Sequence, residues 1–249
     1  MSSRSWDAST YDRVSDVQDR WADAVLDRLP LRGDERVLDA GCGSGRVTRK
    51  LLERLPRGHV VALDASEEMV AHARATLPPD RTTVAVADLA GFTLDQPVDA
   101  IFSNAVFHWV LDHDALFACL RRALRPGGRL VAQCGGKGNL ARFWAVARAV
   151  AAEPPYAEHL DGLDNASNFA GAEVTAERLR RAGFTDVRTW IAPSDVTPAE
   201  PEAFVRAVNL RLFVAALPPA LVDPYVRDVV ARAGDPIVLD YQRLNIDAA

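Results

Sequence analysis

The feature that most constrains this chain is a glycine-rich loop that directly follows a short apolar run. Residues 37–45 are Val-Leu-Asp-Ala-Gly-Cys-Gly-Ser-Gly, and a helical pattern over 44–55 begins at the end of the loop. Glycines let a backbone turn tightly and approach a ligand where a Cβ atom would clash. A strand, a glycine loop and a helix in this order form the ligand-binding unit of open α/β sheets.

The spacing of the glycines distinguishes this loop from two common nucleotide-binding loops. Gly41, Gly43 and Gly45 give a GxGxG pattern, and Arg46 stands where a GxGxxG dinucleotide fingerprint has its third glycine. The loop also lacks the Gly-Lys-Ser/Thr sequence of triphosphate-binding loops. An acidic residue, Asp39, precedes the first glycine. These differences weigh against both nucleotide-binding classes.

The rest of the chain alternates between apolar runs and helical patterns. The runs predict strands near 36–40, 59–63, 82–87, 98–103, 129–134, 185–191 and 237–246. The helical patterns lie near 15–29, 44–55, 66–76, 112–124, 139–152, 175–182, 201–216 and 219–233. Such alternation indicates βαβ units, and nearly continuous apolar runs are typical of parallel strands buried on both faces. We therefore expect an α/β fold with a doubly wound, mostly parallel sheet.

Polar residues follow the second, third and fourth apolar runs. Asp64 lies 23 positions after Gly41, close to the roughly 20 that separate a glycine loop from a ribose-binding carboxylate. Asp88 follows the third run and Asn104 the fourth. Ligands in doubly wound sheets bind beyond the carboxyl ends of the strands. We therefore expect these side chains at one ligand-binding edge.

Over residues 35–135 the sequence resembles the class I methyltransferases that use S-adenosylmethionine. The resemblance implies a Rossmann-like sheet of seven strands with an antiparallel last strand and helical additions over the site. It implies that the glycine loop holds the amino-acid end of S-adenosylmethionine, that Asp39 positions the ammonium group, and that Asp88 and the Leu89 backbone contact the adenine. Met69 would pack near the adenine or serve only in the core. The expected cofactor residues in this region are Asp39, Gly41, Gly43, Gly45, Asp64, Ala65, Met69, Asp88, Leu89 and Asn104.

Shorter motifs resemble the trans-aconitate methyltransferase group over nearly the whole length. They lie at residues 6–21, 107–110, 124–128, 208–211 and 241–244. This resemblance implies that Tyr11, Gln18 and Trp21 form a lid over the cofactor. It also implies that the acceptor is bound by Trp109, Arg211 and Arg243. Three positions depart from the residues usual in that group, because Asn209 replaces Gly, Leu212 replaces Pro and His108 replaces Gln.

His108 is the candidate catalytic residue, and two interpretations of it stay open. An imidazole near pKa 6.5 can take a proton from a hydroxyl acceptor, or it can orient an acid. A ring beside Trp109 that is packed or solvent-facing and has no catalytic role is equally compatible with the sequence. We expect an oxygen acceptor, either a carboxylate, which needs no base, or a hydroxyl, which benefits from one.

Composition limits the partners of the chain. The net charge of -5 and the pI near 5.6 weigh against a nucleic-acid partner, since phosphate binding needs a basic face. The three cysteines form no CxxC pair, so no metal is expected. Without a signal-peptide pattern or a run of about 18 apolar residues, we expect a cytoplasmic protein that does not bind membranes. The expected substrate is a small molecule, and the sequence is compatible with a monomer or a homodimer.

We expect one methyltransferase domain over residues 1–249. Its parts would be an N-terminal lid helix (1–34), a cofactor-binding core (35–135), helical substrate-cap additions with one strand (139–235) and the final strand (236–249). Two other functions remain open from the sequence. One is a protein that binds S-adenosylmethionine without transferring its methyl group, and the other is a nicotinamide-dependent oxidoreductase.

Overall fold

The computed structural model describes residues 16–163 and 166–249, which form one seven-stranded sheet covered by helices. The strand order is β3-β2-β1-β4-β5-β7-β6. The strands are β1 (Arg36–Ala40), β2 (His59–Asp64), β3 (Thr82–Val86), β4 (Val98–Asn104), β5 (Leu124–Gly135), β6 (Arg188–Val196) and β7 (Leu239–Ala248).

Helices connect most of these strands. They are α1 (Asp16–Leu26), α2 (Arg46–Glu53), α3 (Glu67–Thr76), α4 (His113–Ala123), α5 (Ala141–Ala151), α6 (Ala157–Leu160), α7 (Ala172–Arg181), α8 (Pro201–Phe204), α9 (Arg211–Ala216) and α10 (Pro219–Ala233). A 3₁₀ turn (Phe107–Trp109) precedes α4, and a π-helical turn (Val205–Asn209) lies between α8 and α9. No helix in the described part of the chain is long and apolar enough to span a membrane.

The strand pairing confirms the predicted doubly wound sheet. Neighbouring strands from β3 to β5 are parallel, and β7 is antiparallel to both β5 and β6. The last strand is therefore antiparallel, as the resemblance implied. The register brings the carboxyl ends of the parallel strands to one edge of the sheet, since Ala40 pairs with Leu63 and Asn104 with Gln133.

The core lies on both faces of the sheet, which explains the nearly continuous apolar runs. Leu38 and Ile101 point into the cluster on one face, whereas Val37 and Phe102 point into the cluster on the other. A third cluster joins helices α5, α6 and α8 to α10 to the start of β7. The third cluster lies in the region predicted as helical substrate-cap additions (139–235). We propose that this region forms the cap over the cofactor-binding core (35–135).

Two segments differ from the sequence-based expectation. The single helix predicted over 201–216 is interrupted, because the Leu210 N–H donates to the Val205 carbonyl at 2.7 Å and widens the backbone into a π turn. The strand predicted near 129–134 begins earlier, because residues 124–128 already belong to β5 and Leu124 pairs with Val98 across a register shift.

Candidate functional site

The glycine loop connects β1 to α2 and packs against the loop that follows β4. Gly41 has a φ of +92°, and a Cβ atom there would lie 2.2 Å from Cγ2 of Val106. Gly43 also has a positive φ, but a Cβ atom there would meet nothing within 4 Å among the described residues. Gly45 has a φ of +85° and directly precedes α2. Gly41 therefore serves internal packing, whereas Gly43 leaves open space at the sheet edge.

Asp64 ties this loop to the start of α3. Its Oδ2 accepts a hydrogen bond from the Gly43 N–H at 2.9 Å, and its Oδ1 accepts one from the Ser66 N–H at 2.9 Å. Burial raises the pKa of this carboxyl, and the backbone hydrogen bonds lower it in part. Ser66 in turn caps α3 by accepting from the Met69 N–H, as its sequence position predicts. The carboxylate of Asp64 is thus held at the place where a ribose diol is expected.

Asp39 is buried beneath the glycine loop and has a partner that the sequence did not indicate. Its Oδ2 accepts a hydrogen bond from the Thr48 hydroxyl at 2.7 Å, and both side chains are almost fully buried. Burial, together with the negative charge of Asp64, raises the pKa of Asp39 to about 7. A buried threonine on the inner face of α2 was the signal that sequence reasoning missed.

The predicted adenine-binding residues lie after β2 and β3. Asp88 is exposed, and its Oδ1 accepts a hydrogen bond from the Ala90 N–H at 2.9 Å. Leu89 and Met69 are buried, whereas Ala65 is exposed beside Asp64. Burial of Met69 is compatible with both interpretations given above, so its contact with adenine stays a prediction.

His108 lies on the same edge, beyond β4. Its Nδ1 accepts a hydrogen bond from the Gly135 N–H at 3.3 Å, and its ring stacks on Phe169 with centroids 5.6 Å apart. The Trp109 ring lies at 4.7 Å from the same imidazole. Asn104, the last residue of β4, is half-buried and pairs with Gln133 of the neighbouring strand β5. His108 is therefore a buried ring with a fixed orientation and not a solvent-facing one.

Arg243 is a buried arginine in β7, directly opposite Gly135 of β5. Its Nε donates to Oε1 of Gln133 at 3.2 Å, and its Cζ lies 4.0 Å from the centroid of the Trp21 ring. Gln133 was not predicted, although it is a polar residue in the otherwise apolar run 130–134. The sheet therefore brings Arg243 and His108 to the same strand end.

Trp21 joins the N-terminal helix to this region. Its Nε1 donates to the Ser194 hydroxyl at 2.9 Å, and its ring meets Tyr241 edge-on at 4.9 Å. Helix α1 is thus fixed across β6 and β7, and the position of Trp21 next to Arg243 agrees with a role near the site. Of the two other predicted lid residues, Tyr11 lies outside the described residues, and the side chain of Gln18 lies outside them as well.

Arg211 is the first residue of α9 and is half-buried. Two positions earlier, Nδ2 of Asn209 donates to the Tyr241 hydroxyl at 3.1 Å. This bond holds the start of α9 next to β7, the strand that carries Arg243. Tyr241 was not predicted as a partner of Asn209, because the two residues are 32 positions apart in the chain.

The chemistry of this edge fits S-adenosylmethionine. The carboxyls of the buried Asp39 and the half-buried Asp64 have raised pKa values, so a cationic ligand beside them would stabilise their charged forms. The open space over Gly43 admits a ligand close to the backbone. Asp39, Asp64 and Asp88 lie at or just beyond the carboxyl ends of three neighbouring strands, in the order expected for an extended ligand with an amino-acid end, a sugar and a base.

Comparisons with known proteins agree with this assignment. A model described as a methyltransferase domain matches residues 37–128. The chain is 34% identical over 245 residues to the trans-aconitate 2-methyltransferase of Variovorax paradoxus, which covers 96% of this chain and 93% of that protein. It is 36% identical over 193 residues to the protein of the same name from Methylobacterium nodulans, with 77% and 69% covered. A solved S-adenosylmethionine dependent methyltransferase from Mesorhizobium loti is similar with a TM-score of 0.56 and 24% identity, over 91% of this chain and 95% of that chain.

Proposed function

Because this chain belongs to the class I S-adenosylmethionine-dependent methyltransferases, we propose that it methylates a carboxylate oxygen of a small organic acid. Two of its relatives are named trans-aconitate 2-methyltransferases, and trans-aconitate is itself a carboxylate. The observation that carries the proposal is the buried guanidinium of Arg243 at the strand end shared with His108. Arginine presents a planar fork that matches a carboxylate.

The cofactor side of the site would be built from the loops after β1, β2 and β3. S-adenosylmethionine supplies an electrophilic methyl carbon when it is bound. The backbone at Gly43 would approach its amino-acid end, Asp64 would accept hydrogen bonds from the sugar hydroxyls, and Asp88 would accept one from the adenine amino group. Asp39, held by Thr48, would stabilise the positive charge of the ligand from beneath the loop.

The acceptor side would be built around β7. Arg243 would hold the acceptor carboxylate, and the Trp21 ring at 4.0 Å would limit the positions that the guanidinium can adopt. Arg211, at the start of α9, would provide a second cation for an acid with more than one carboxylate. Well-aligned reactants contribute roughly 7–11 kcal/mol to catalysis, so holding the acceptor in line is the main task of these residues.

His108 would act as a hydrogen-bond donor and not as a base. A ring nitrogen that accepts the Gly135 N–H must be unprotonated, so the neutral ring carries its proton on Nε2. A carboxylate acceptor is ionised at neutral pH and needs no proton removed, whereas a hydroxyl acceptor benefits from a base. The orientation of His108 therefore supports the carboxylate.

The experiment is methyl transfer from labelled S-adenosylmethionine to a panel of organic acids and alcohols that includes trans-aconitate. Carboxyl methyl esters release methanol in mild alkali, whereas methyl ethers and methylamines do not. Alkali-labile label on an acid is the expected result. Alkali-stable label, or transfer to alcohols alone, would refute the carboxylate assignment.

Two arginine variants test the role of Arg243 in the same assay. Arg243→Lys keeps the charge but loses the fork, so kcat/KM is expected to fall by roughly 10- to 100-fold through a raised KM. The control is Arg129→Gln, because Arg129 is exposed toward the amino end of β5, the strand whose carboxyl end faces Arg243. This control variant is expected to keep the activity of the unaltered protein.

A further inference from the structure

Asn209 ends the π-helical turn between α8 and α9, and its side chain lies in an apolar environment. Only 9% of the residue is exposed, and its neighbours Val205 and Leu210 are fully buried. π-helical turns are uncommon and often occur at functional sites. A buried amide among apolar side chains is unfavourable unless both of its ends are hydrogen-bonded. The partners of Asn209 therefore indicate what the residue does.

The two ends of this amide differ. Nδ2 donates to the Tyr241 hydroxyl at 3.1 Å. Among the residues that the structure describes, Oδ1 is buried without a hydrogen-bond partner. A buried acceptor of this kind loses its hydration and gains nothing in return, so native proteins seldom keep one without a ligand or a water to complete it.

Asn209 is connected to the acceptor side of the site through two aromatic rings. Tyr241 accepts its hydrogen bond and meets the Trp21 ring at 4.9 Å, and Trp21 lies under the Arg243 guanidinium at 4.0 Å. Tyr241 and Arg243 are two residues apart in β7, so their side chains leave the same face of the strand about 7 Å apart. This separation is comparable to the length of a small organic acid.

We propose that Asn209 is a specificity residue that selects an acceptor carrying a hydroxyl group in addition to its carboxylate. The inference rests on the carboxylate acceptor proposed above. An amide oxygen only accepts hydrogen bonds, so its partner must donate one. A hydroxyl meets this requirement, whereas a second carboxylate at the same position would be repelled. The neighbouring phenol stays a neutral partner, because burial raises the pKa of Tyr241 to about 12.

Binding to protein saturated with S-adenosylhomocysteine tests this selection by calorimetry. Two pairs of acids differ by one hydroxyl, namely malate against succinate and citrate against propane-1,2,3-tricarboxylate. The hydroxylated member of at least one pair is expected to bind roughly 5- to 150-fold more tightly. In Asn209→Leu, which keeps the branched shape of the side chain, this preference is expected to fall to about twofold or less, since the hydroxyl loses its partner.

The control removes a different buried polar group from the same apolar cluster. Trp144 contributes a buried Nε1 to this cluster, and Trp144→Phe is expected to leave the hydroxyl preference unchanged. Equal binding of both members of each pair by the unaltered protein would overturn the role of Asn209 and leave the carboxylate proposal standing. An equal loss of preference in both variants would also overturn it. If no acid of either pair binds, the selection by Asn209 fails, and methyl transfer to the panel of acids and alcohols decides the carboxylate proposal separately.

A stability measurement provides a readout that does not depend on any acid. The double variant Asn209→Leu/Tyr241→Phe replaces both hydrogen-bonding partners by apolar groups of similar shape, which is close to neutral for a pair that serves a ligand. Its Tm is expected to match or exceed that of the unaltered protein. A clear fall in Tm would identify the pair as a structural element and overturn the proposal.

Discussion

Alanine substitutions at three glycines with positive φ angles distinguish the backbone, packing and ligand-contact roles of the glycine loop. At Gly41 an added Cβ atom would overlap Val106 at 2.2 Å, whereas at Gly43 and at the remote Gly127 it would meet nothing within 4 Å in the part of the chain that the structure describes. All three variants to alanine place an L-residue in a left-handed conformation, which costs about 1–2 kcal/mol. Only Gly41→Ala adds a steric overlap, which typically costs about 1–3 kcal/mol.

These costs predict distinct melting temperatures. A chain of this size loses roughly 2–4 °C in Tm for each kcal/mol. Gly43→Ala and Gly127→Ala are therefore expected to melt about 2–8 °C lower than the unaltered protein, and Gly41→Ala roughly 4–20 °C lower. Thermal unfolding followed by circular dichroism without ligand measures all three.

Cofactor binding separates the two variants that share the backbone cost. The Cβ atom of Gly43→Ala would enter the space where the cofactor is expected, so the affinity for S-adenosylhomocysteine should fall roughly 5- to 150-fold. Gly127→Ala, in β5 but outside the loop, should bind as the unaltered protein does. The packing argument fails if Gly41→Ala melts like Gly127→Ala. The ligand argument fails if Gly43→Ala binds the cofactor with unchanged affinity.

Further predictions concern the buried groups of the same edge. The folded chain holds the proton of Asp39 more tightly than the unfolded chain, with a pKa of about 7 against 3.8, so the stability contributed by this group falls as the pH rises from about 4 to about 7. Ionised Asp39 favours a cationic ligand, so cofactor affinity measured by calorimetry should rise by up to about tenfold between pH 6 and pH 8, and Asp39→Asn should remove the dependence. Thr48→Val removes the hydrogen bond that lowers this pKa and should move the affinity profile to higher pH; an unmoved profile would contradict that role. Asp64→Asn keeps the shape of the side chain but loses its negative charge and one of the two oxygens that accept backbone N–H groups. It should weaken cofactor binding by about 2 kcal/mol, whereas unchanged affinity would refute the ribose assignment. His108→Gln keeps an N–H donor but cannot take up a proton, so kcat is expected to fall by no more than about tenfold; a loss of roughly 10²- to 10⁴-fold would instead identify a base.

The predicted parts of the site are those that local sequence encodes. The glycine loop, Asp64 and Asp88 each lie at the end of a strand, and the carboxyl ends of parallel strands meet at one edge, so their proximity follows from the order of elements alone. The Ser66 cap of α3 is local in the same sense, because its hydrogen bond spans three residues.

The sequence could not predict the partners of the buried polar groups. Thr48 next to Asp39, Gln133 next to Arg243 and Tyr241 next to Asn209 involve polar atoms whose neighbours come from other elements. Periodicity shows which face of an element is buried, but it does not show which atom from another element a buried hydroxyl or amide will meet. The interruption of the predicted helix over 201–216 by a π turn has the same origin, since a single i→i+5 hydrogen bond leaves the hydrophobic pattern unchanged.

The sequence by itself thus determined the sheet, the glycine loop and the order of the carboxylates, because these depend on hydrophobic periods and on residues close together in the chain. The tertiary structure alone decided that Arg243 lies beside Trp21, that His108 accepts from Gly135, and that one end of the Asn209 amide is held by Tyr241. Those contacts arise from the packing of helices and strands distant in sequence, and that packing sets the surroundings of the acceptor.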